Sequence, residues 1–350
     1  MTDAYGRTIT YLRLSVTDLC NLRCVYCMPP EGVCKREHAE ICSLGELAEL
    51  AEAFVDLGVH KIRLTGGEPL VRRGIVSLVE QLNALRPRGL EELCMTTNGT
   101  LLPELAAPLR AAGLDRLNIS LDTLRPDRCR ALTRGGDLDR VLDGIAAAEA
   151  AGFDRISFNT VLLKGVNDDE LRDLALLAKD RPQSVRFIEL MPIGPGAGLD
   201  FLPAEAVLKA VPELVRMQNA KQKTQNEGSG IRERGSGDEG TDPSTPLRSA
   251  QDDKSGSVAN YYTAPGWAGT VGLIAPMSDC FCASCTRVRL TADGKLKPCL
   301  HSADEYPLRG LHGDELRKAI LSAIQQKPAR HNLSDTQPSE SIRPMNEVGG

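Results

Sequence analysis

Two periodicities alternate through the first two hundred residues of this chain. Short β-rich runs at 11–16, 61–65, 93–97, 116–121, 155–163 and 184–191 read as buried strands. Helical stretches lie between them. The first is opened by Ser43 with Glu46 three residues on, a capping-box pair. Leu47, Leu50, Ala51, Phe54 and Leu57 then recur at helical spacing, and Gly58 closes the helix. Further helices are expected at about 73–86, 103–112, 138–151 and 168–180, the last with Asn167 and Glu170 as a second cap pair. Six strand–helix units imply right-handed crossovers and a parallel sheet, either open or rolled into an incomplete barrel. In both forms the chemistry belongs at the carboxyl ends of the strands. The polar motifs fall there. Thr-Gly-Gly-Glu-Pro (65–69), Thr-Thr-Asn-Gly (96–99), Ser-Leu-Asp (120–122) and Met-Pro-Ile-Gly (191–194) each end a strand.

The pattern stops at 218–257, where Ala220, Ile231, Leu247 and Ala250 are the apolar residues in forty. Such a segment buries too little surface to offset its ordering entropy, so a disordered insertion is expected. The chain therefore divides into 1–215, an insertion at 216–257, and a C-terminal region at 258–350. Composition narrows the function. At 41% hydrophobic but only 4% aromatic, the core is mostly aliphatic. A net charge of -5 gives no general attraction for nucleic acid or anionic membrane. No apolar run approaches the roughly 20 residues of a membrane span. The N-terminus lacks a secretory pattern. A cytoplasmic protein is expected.

Eleven cysteines are many for a reducing compartment, where clustered cysteines suggest metal or catalysis. Cys20, Cys24 and Cys27 follow the first strand in C-x3-C-x2-C spacing. Chance produces that spacing about 0.01 times in a chain of this composition. A structural zinc site wants four ligands, and no fourth cysteine or histidine lies close in sequence. A cubic iron–sulfur cluster held by three thiolates keeps one iron open to another ligand.

Cys282, Cys285 and Cys299 repeat the theme as C-x2-C-x13-C. Cys280 and His301 stand nearby, and either as a fourth ligand favours zinc over a second open cluster. Between these cysteines, Arg287-Val288-Arg289 places two guanidiniums on one face of a strand. Paired guanidiniums beside such a centre suit a phosphate-like ligand. Cys34, Cys42, Cys94, Cys129 and Cys280 are scattered and are expected to be small buried or surface residues.

The C-x3-C-x2-C loop, its Tyr26 and the Gly66-Gly67-Glu68-Pro69 turn resemble the radical S-adenosylmethionine superfamily. The run from Phe281 to Cys299 resembles the GTP 3′,8-cyclases of molybdenum cofactor biosynthesis. So do Leu12–Asp18, Arg186–Met191 and the terminal Gly349-Gly350. The resemblance implies an incomplete (β/α)6 TIM-like barrel with a C-terminal iron–sulfur region, commonly a homodimer. It implies two [4Fe-4S] clusters, one on Cys20, Cys24 and Cys27 and one on Cys282, Cys285 and Cys299. It also implies S-adenosylmethionine at Tyr26, Gly67, Ser120 and Met191. GTP is implied at Arg13, Arg63, Thr96, Arg287, Val288 and Arg289, with Arg13, Arg287 and Arg289 acting in the reaction. The implied chemistry is cleavage of S-adenosylmethionine, hydrogen abstraction from C3′ of GTP and closure of C3′ onto C8. An electron donor and a cyclic pyranopterin monophosphate synthase are implied partners. The diglycine tail is expected to enter the active site.

One departure stands out. The family places a lysine two residues before the fifth-strand asparagine, and here Ser157 precedes Asn159 at that spacing. Arg155, on the same strand face, is the expected substitute. Two other readings fit less of the chain: a peptide-modifying radical maturase with an auxiliary cluster, and a zinc-binding interaction module.

Overall fold

The computed structural model describes residues 1–33, 36–217, 258–333 and 339–349. The expected insertion from 218 onward, Cys34 and Gly350 lie outside the described residues.

Six strands follow the expected runs closely: β1 (Tyr11–Ser15), β2 (Lys61–Thr65), β3 (Glu92–Thr97), β4 (Arg116–Ser120), β5 (Ile156–Leu162) and β6 (Ser184–Glu189). Each pairs in parallel with the next. Between them run α1 (Leu44–Asp56), α2 (Ile75–Asn83), α3 (Leu102–Ala111), α4 (Pro126–Thr133), α5 (Leu138–Ala150) and α6 (Leu171–Leu176). The Ser43–Glu46 capping box forms in both directions, at 3.2 and 2.7 Å. Leu47, Leu50, Ala51 and Phe54 are buried on the inward face of α1, as their spacing predicts.

The Asn167–Glu170 pair does not cap α6. Glu170 accepts from Thr123 Oγ1 at 2.6 Å and Leu124 N at 2.7 Å. Asn167 donates to the carbonyls of Asp122 and Val161. Both side chains brace the loop after β4 instead, and α6 starts later and ends earlier than the expected 168–180.

The C-terminal part does not pack as a separate body. Past α7 (Glu205–Ala210) and the short β7 (Val215–Arg216) come β8 (Asn260–Thr263), β9 (Thr270–Ile274), β10 (Arg287–Leu290), β11 (Lys295–Lys297) and β12 (Tyr306–Pro307). β9 pairs in parallel with β6, and β10 pairs in parallel with β1. The described residues thus form one twelve-stranded sheet in the order β12-β11-β10-β1-β2-β3-β4-β5-β6-β9-β8-β7, an open barrel whose ends do not meet. Two helices finish the chain, α8 (Gly313–Gln325) and α9 (Met345–Val348). Among the described residues no helix is long and apolar enough to cross a membrane.

Candidate functional site

A cavity of about 360 Å³ opens at the carboxyl ends of the strands. Both cysteine trios line it: Cys20, Cys24 and Cys27 on one side, Cys282, Cys285 and Cys299 on the other.

The first trio rides on the loop leaving β1, and the Gly-Gly-Glu-Pro turn straps that loop down. Gly67 N donates to Thr17 O and Glu68 N to Leu19 O, both at 2.9 Å. A Cβ at Gly66 would strike Thr17 O, and one at Gly67 would strike Leu19 O. Only glycine allows this close approach. Glu68, 1% exposed, accepts from Leu70 N at 3.0 Å, Thr97 Oγ1 at 2.7 Å and Asn98 N at 2.7 Å. It ties the strap to the end of β3. Burial pushes its carboxyl up to about 7. On the far side of the loop, Tyr26 Oη donates to Asp122 Oδ2 at 2.6 Å. Asp122 Oδ1 accepts from Val161 N at 2.8 Å. The loop is therefore held from β3 and from β4–β5 at once.

Burial pushes the Cys20 thiol up to about 11 and Cys27 up to about 12, and burial with Asp122 beside it raises Cys24 as well. These three half-buried thiols, raised by a burial that outweighs Arg23 beside Cys20, stay protonated until a metal takes the protons' place. That donor set, in a glycine-cradled loop with room beside it, fits a cluster with an open iron.

Register builds the opposite wall. β1 pairs with β10 and β2 so that Arg289, Arg13 and Arg63 stand in one row, and Arg287, Tyr11 and Lys61 in the row two residues earlier. The period of two puts both rows on one face. All six line the cavity. Val288 turns the other way, into the core, at 1% exposure, and is not among the lining residues. Burial and the neighbouring Arg289 hold Arg13 well below the usual guanidinium range. Burial and Arg287 bring Arg289 down to about 10. Burial would raise the Tyr11 phenol, yet Arg63, Arg13, Lys61 and Arg287 bring it down to about 8. So crowded a set of buried and half-buried cations calls for an anion. Tyr11 and Lys61 were legible by their spacing, two residues before Arg13 and Arg63.

Unsatisfied polar atoms mark the rest of the cavity. Arg63 Nη1, Arg287 Nε, Thr96 Oγ1, Asn118 Oδ1 and Asn159 Oδ1 are buried without a hydrogen-bond partner among the described residues. Buried polar groups are seldom left so, and these five face one space. Ser120 and Met191 line it with Tyr26 and Gly67.

The tail enters this space. Gly349 O accepts from Arg13 Nε at 3.3 Å and Nη2 at 3.2 Å, and also from Arg289. Gly349 has φ +73°, and a Cβ there would collide with Thr65 Oγ1. Behind it, Arg343 forks onto Glu305 and reaches Asp293 at 2.8 Å. Arg36 joins Asp293, Asp18 and Glu347 at 3.0, 3.0 and 2.7 Å. These two arginines gave no signal in the sequence, because their partners come from four separate segments.

Arg155 lies elsewhere. It meets Glu92 at 3.3 Å at the amino end of the sheet and does not line the cavity, so it does not stand in for the lysine. Ser157 accepts from Arg116 Nη2 at 3.2 Å. His301, 8% exposed, faces Ser339 Oγ at 3.3 Å.

The family described as "Radical SAM superfamily" matches residues 14–178, and "Molybdenum Cofactor Synthesis C" matches residues 241–333. A GTP 3′,8-cyclase of Peptoclostridium acidaminophilum is 47% identical over 99% of this chain and 98% of its own. Those of Alkaliphilus oremlandii and Geobacter sulfurreducens are 43% and 44% identical, over 100% and 99% of both chains. Among solved structures, Streptococcus suis SuiB bound to precursor peptide SuiA superposes with a TM-score of 0.57. It is 16% identical and covers 93% of this chain and 66% of that one, a likeness of fold alone.

Proposed function

This chain belongs to the GTP 3′,8-cyclases, radical S-adenosylmethionine enzymes of molybdenum cofactor biosynthesis with two [4Fe-4S] clusters, and from that premise we propose how its residues divide the work. Cys20, Cys24 and Cys27 hold one cluster, and Cys282, Cys285 and Cys299 hold the other. When bound, the first supplies the electron that breaks S-adenosylmethionine, and the second supplies an open iron beside the substrate.

The protein's own contribution is placement. The loop pinned by Glu68 and by the Tyr26–Asp122 pair fixes where S-adenosylmethionine lies, with Gly67, Ser120 and Met191 around it. Arg13, Arg63, Arg287 and Arg289 take the triphosphate, and Thr96 orients the remainder of GTP. The substrate is thereby held between the two trios, with C3′ toward the first. Bound phosphate also relieves the repulsion among the guanidiniums. The Arg13 and Arg289 contacts to Gly349 set the tail against the same phosphate groups, so its carbonyl orders these arginines. We extend the reading to three parts at 1–215, 216–257 and 258–350, a cytoplasmic homodimer, an external electron donor, and transfer of product to cyclic pyranopterin monophosphate synthase.

The observation that carries the assignment is the convergence of both trios and the arginine rows on one cavity. The test is anaerobic incubation of the reduced, cluster-loaded protein with GTP and S-adenosylmethionine. 5′-Deoxyadenosine and the cyclised nucleotide should appear in equal amounts. 5′-Deoxyadenosine without loss of GTP would remove the substrate assignment and leave the radical one.

A further inference from the structure

Beside the second trio lies another set of ligands. Cys280 belongs to neither trio, yet its Sγ is 3.7 Å from His331 Nε2. The ligand atoms of Cys280, Cys282 and His331 all fall within 4.8 Å of one another. Among the described residues no other trio of cysteine, histidine or acidic groups is so compact, the cluster cysteines included. The contrast is chemical. Cluster thiolates each bind a different iron and stand apart. Ligands of one ion stand close: Zn–S of about 2.3 Å and Zn–N of about 2.0–2.1 Å in a tetrahedron put sulfur and nitrogen roughly 3.5 Å apart. The Cys280–His331 spacing has that value to within a few tenths of an ångström.

A cleft of about 140 Å³, lined by His331 with Cys299, His301, Ser302 and Asp304 among others, opens on the His331 side of this set, and Cys280 itself is exposed, so solvent can supply a fourth ligand. His301 stacks edge-on to His331, with ring centroids 5.0 Å apart, but its Nδ1 is turned to Ser339. The histidine that joins the cysteines is therefore His331.

We propose that the chain lacking its second cluster binds one thiophilic divalent cation of the zinc class through Cys280 Sγ, Cys282 Sγ and His331 Nε2, with water in the fourth position. Binding releases the two thiol protons to solvent and leaves a formally neutral dithiolate–imidazole centre. The remaining ring proton moves to Nδ1. That site now accepts from Leu333 N at 3.2 Å, so this hydrogen bond is given up when the metal enters. Cys282 cannot serve the ion and the cluster together. Occupancy by one excludes the other, a consequence that rests on the assignment of Cys282 to the second cluster. The site itself does not rest on it.

The test uses full-length protein with Cys20, Cys24 and Cys27 all changed to Ser, prepared anaerobically without clusters. Zinc is titrated against a chelating dye, and cobalt is used for the absorption of its thiolate bonds. One tight site is expected. Cys280→Ser and His331→Ala should each weaken it roughly tenfold or more, and Cys280→Ser should remove about half of the thiolate-to-cobalt absorption. Cys299→Ser should leave affinity within about twofold. If Cys285→Ser or Cys299→Ser abolished binding while Cys280→Ser did not, zinc would be using the cluster ligands and the site would be refuted. Exclusion is tested in the unsubstituted chain. Zinc loaded first should slow the return of iron and sulfide to the second cluster, and Cys280→Ser should remove the delay. Zinc bound beside a complete second cluster would overturn the exclusion. Iron content of Cys282→Ser separately checks that Cys282 is a cluster ligand.

Discussion

Cys20, Cys24 and Cys27 sit beside the carboxylates of Glu68 and Asp122, with Arg23 a partial offset at Cys20, whereas Cys285 and Cys299 sit beside Lys327, Arg287, Arg289 and Lys297. Around the first trio, burial raises every thiol, with Asp122 adding to Cys24 and Glu68 to Cys20. Around the second, burial pushes Cys282 up to about 11, but Lys327, the backbone N–H and guanidinium of Arg287, and Arg7 outweigh burial at Cys285 and bring its thiol down. The same three-cysteine theme thus appears in two electrostatic settings. A setting that favours a thiol over a thiolate also disfavours an added electron on a cluster, which makes that electron a stronger reductant once it is there. A setting rich in cations does the reverse and also holds an anionic substrate. The contrast separates the two jobs before any ligand is bound.

The largest effects should come from breaking one region and sparing the other. Cys24→Ser should bring 5′-deoxyadenosine formation to background, whereas Cys285→Ser should keep measurable S-adenosylmethionine cleavage while product from GTP falls to background. Chromatography of both products in one reaction reads the two outcomes. Equal loss of both activities in Cys285→Ser would mean that the regions do not divide the work. Next in size is the arginine wall. Arg287→Ala or Arg289→Ala removes charge-assisted contacts worth about 1.5–3 kcal/mol, or roughly 10- to 150-fold in kcat/KM for GTP. The KM for S-adenosylmethionine should stay within about twofold.

A smaller effect sharpens the electrostatic half of the comparison. In redox titration followed by electron paramagnetic resonance, the second cluster should reduce at the higher potential. A gap of about 60 mV or more is expected, the equivalent of a tenfold preference for a one-electron couple. Variants lacking one trio at a time assign the signals. A lower potential at the second cluster would remove the link between thiol environment and electron affinity.

Much of this contrast was legible in the chain. Both cysteine spacings, the glycine strap, Arg287 and Arg289 are local signals, and Arg13 and Arg63 came through the family resemblance. The strands came through because β-rich runs such as Lys61–Thr65 alternate, with Ile62 and Leu64 in the core and Lys61, Arg63 and Thr65 toward the cavity. What was not legible is the pairing of β10 with β1, made across some 270 residues, which turns two separate arginine motifs into adjacent rows. Local patterning carries no information on such a register. The same reason hid Arg36 and Arg343, whose partners lie on other segments, and His331, which reaches Cys280 from 51 positions away. The error at Arg155 has a different origin. Strand alternation gives its face correctly but not its height, and it lies just outside β5 at the amino end, opposite the site.

The smallest expected effect concerns Tyr26, and it tests whether the first region is independent of the second. Its hydroxyl donates to Asp122 at 2.6 Å, and Asp122 in turn accepts from the Val161 backbone. Burial raises the pKa of this carboxyl, which lines the cavity, and the phenol supplies the hydrogen bond to its Oδ2. Tyr26→Phe keeps the ring between Cys24 and Cys27 but leaves Asp122 Oδ2 without a partner. A loss of roughly 1 kcal/mol follows for a buried neutral donor, close to fivefold in KM for S-adenosylmethionine. Asp122→Asn should do less, because the amide can still bond both Val161 N–H and the phenol oxygen. The GTP KM should not move, since the arginine wall rests on β1, β2 and β10 and not on the β4–β5 end that Asp122 occupies. If the two KM values rose together, the loop and the wall would be one mechanical unit, and the division of labour would belong to the electrostatics alone.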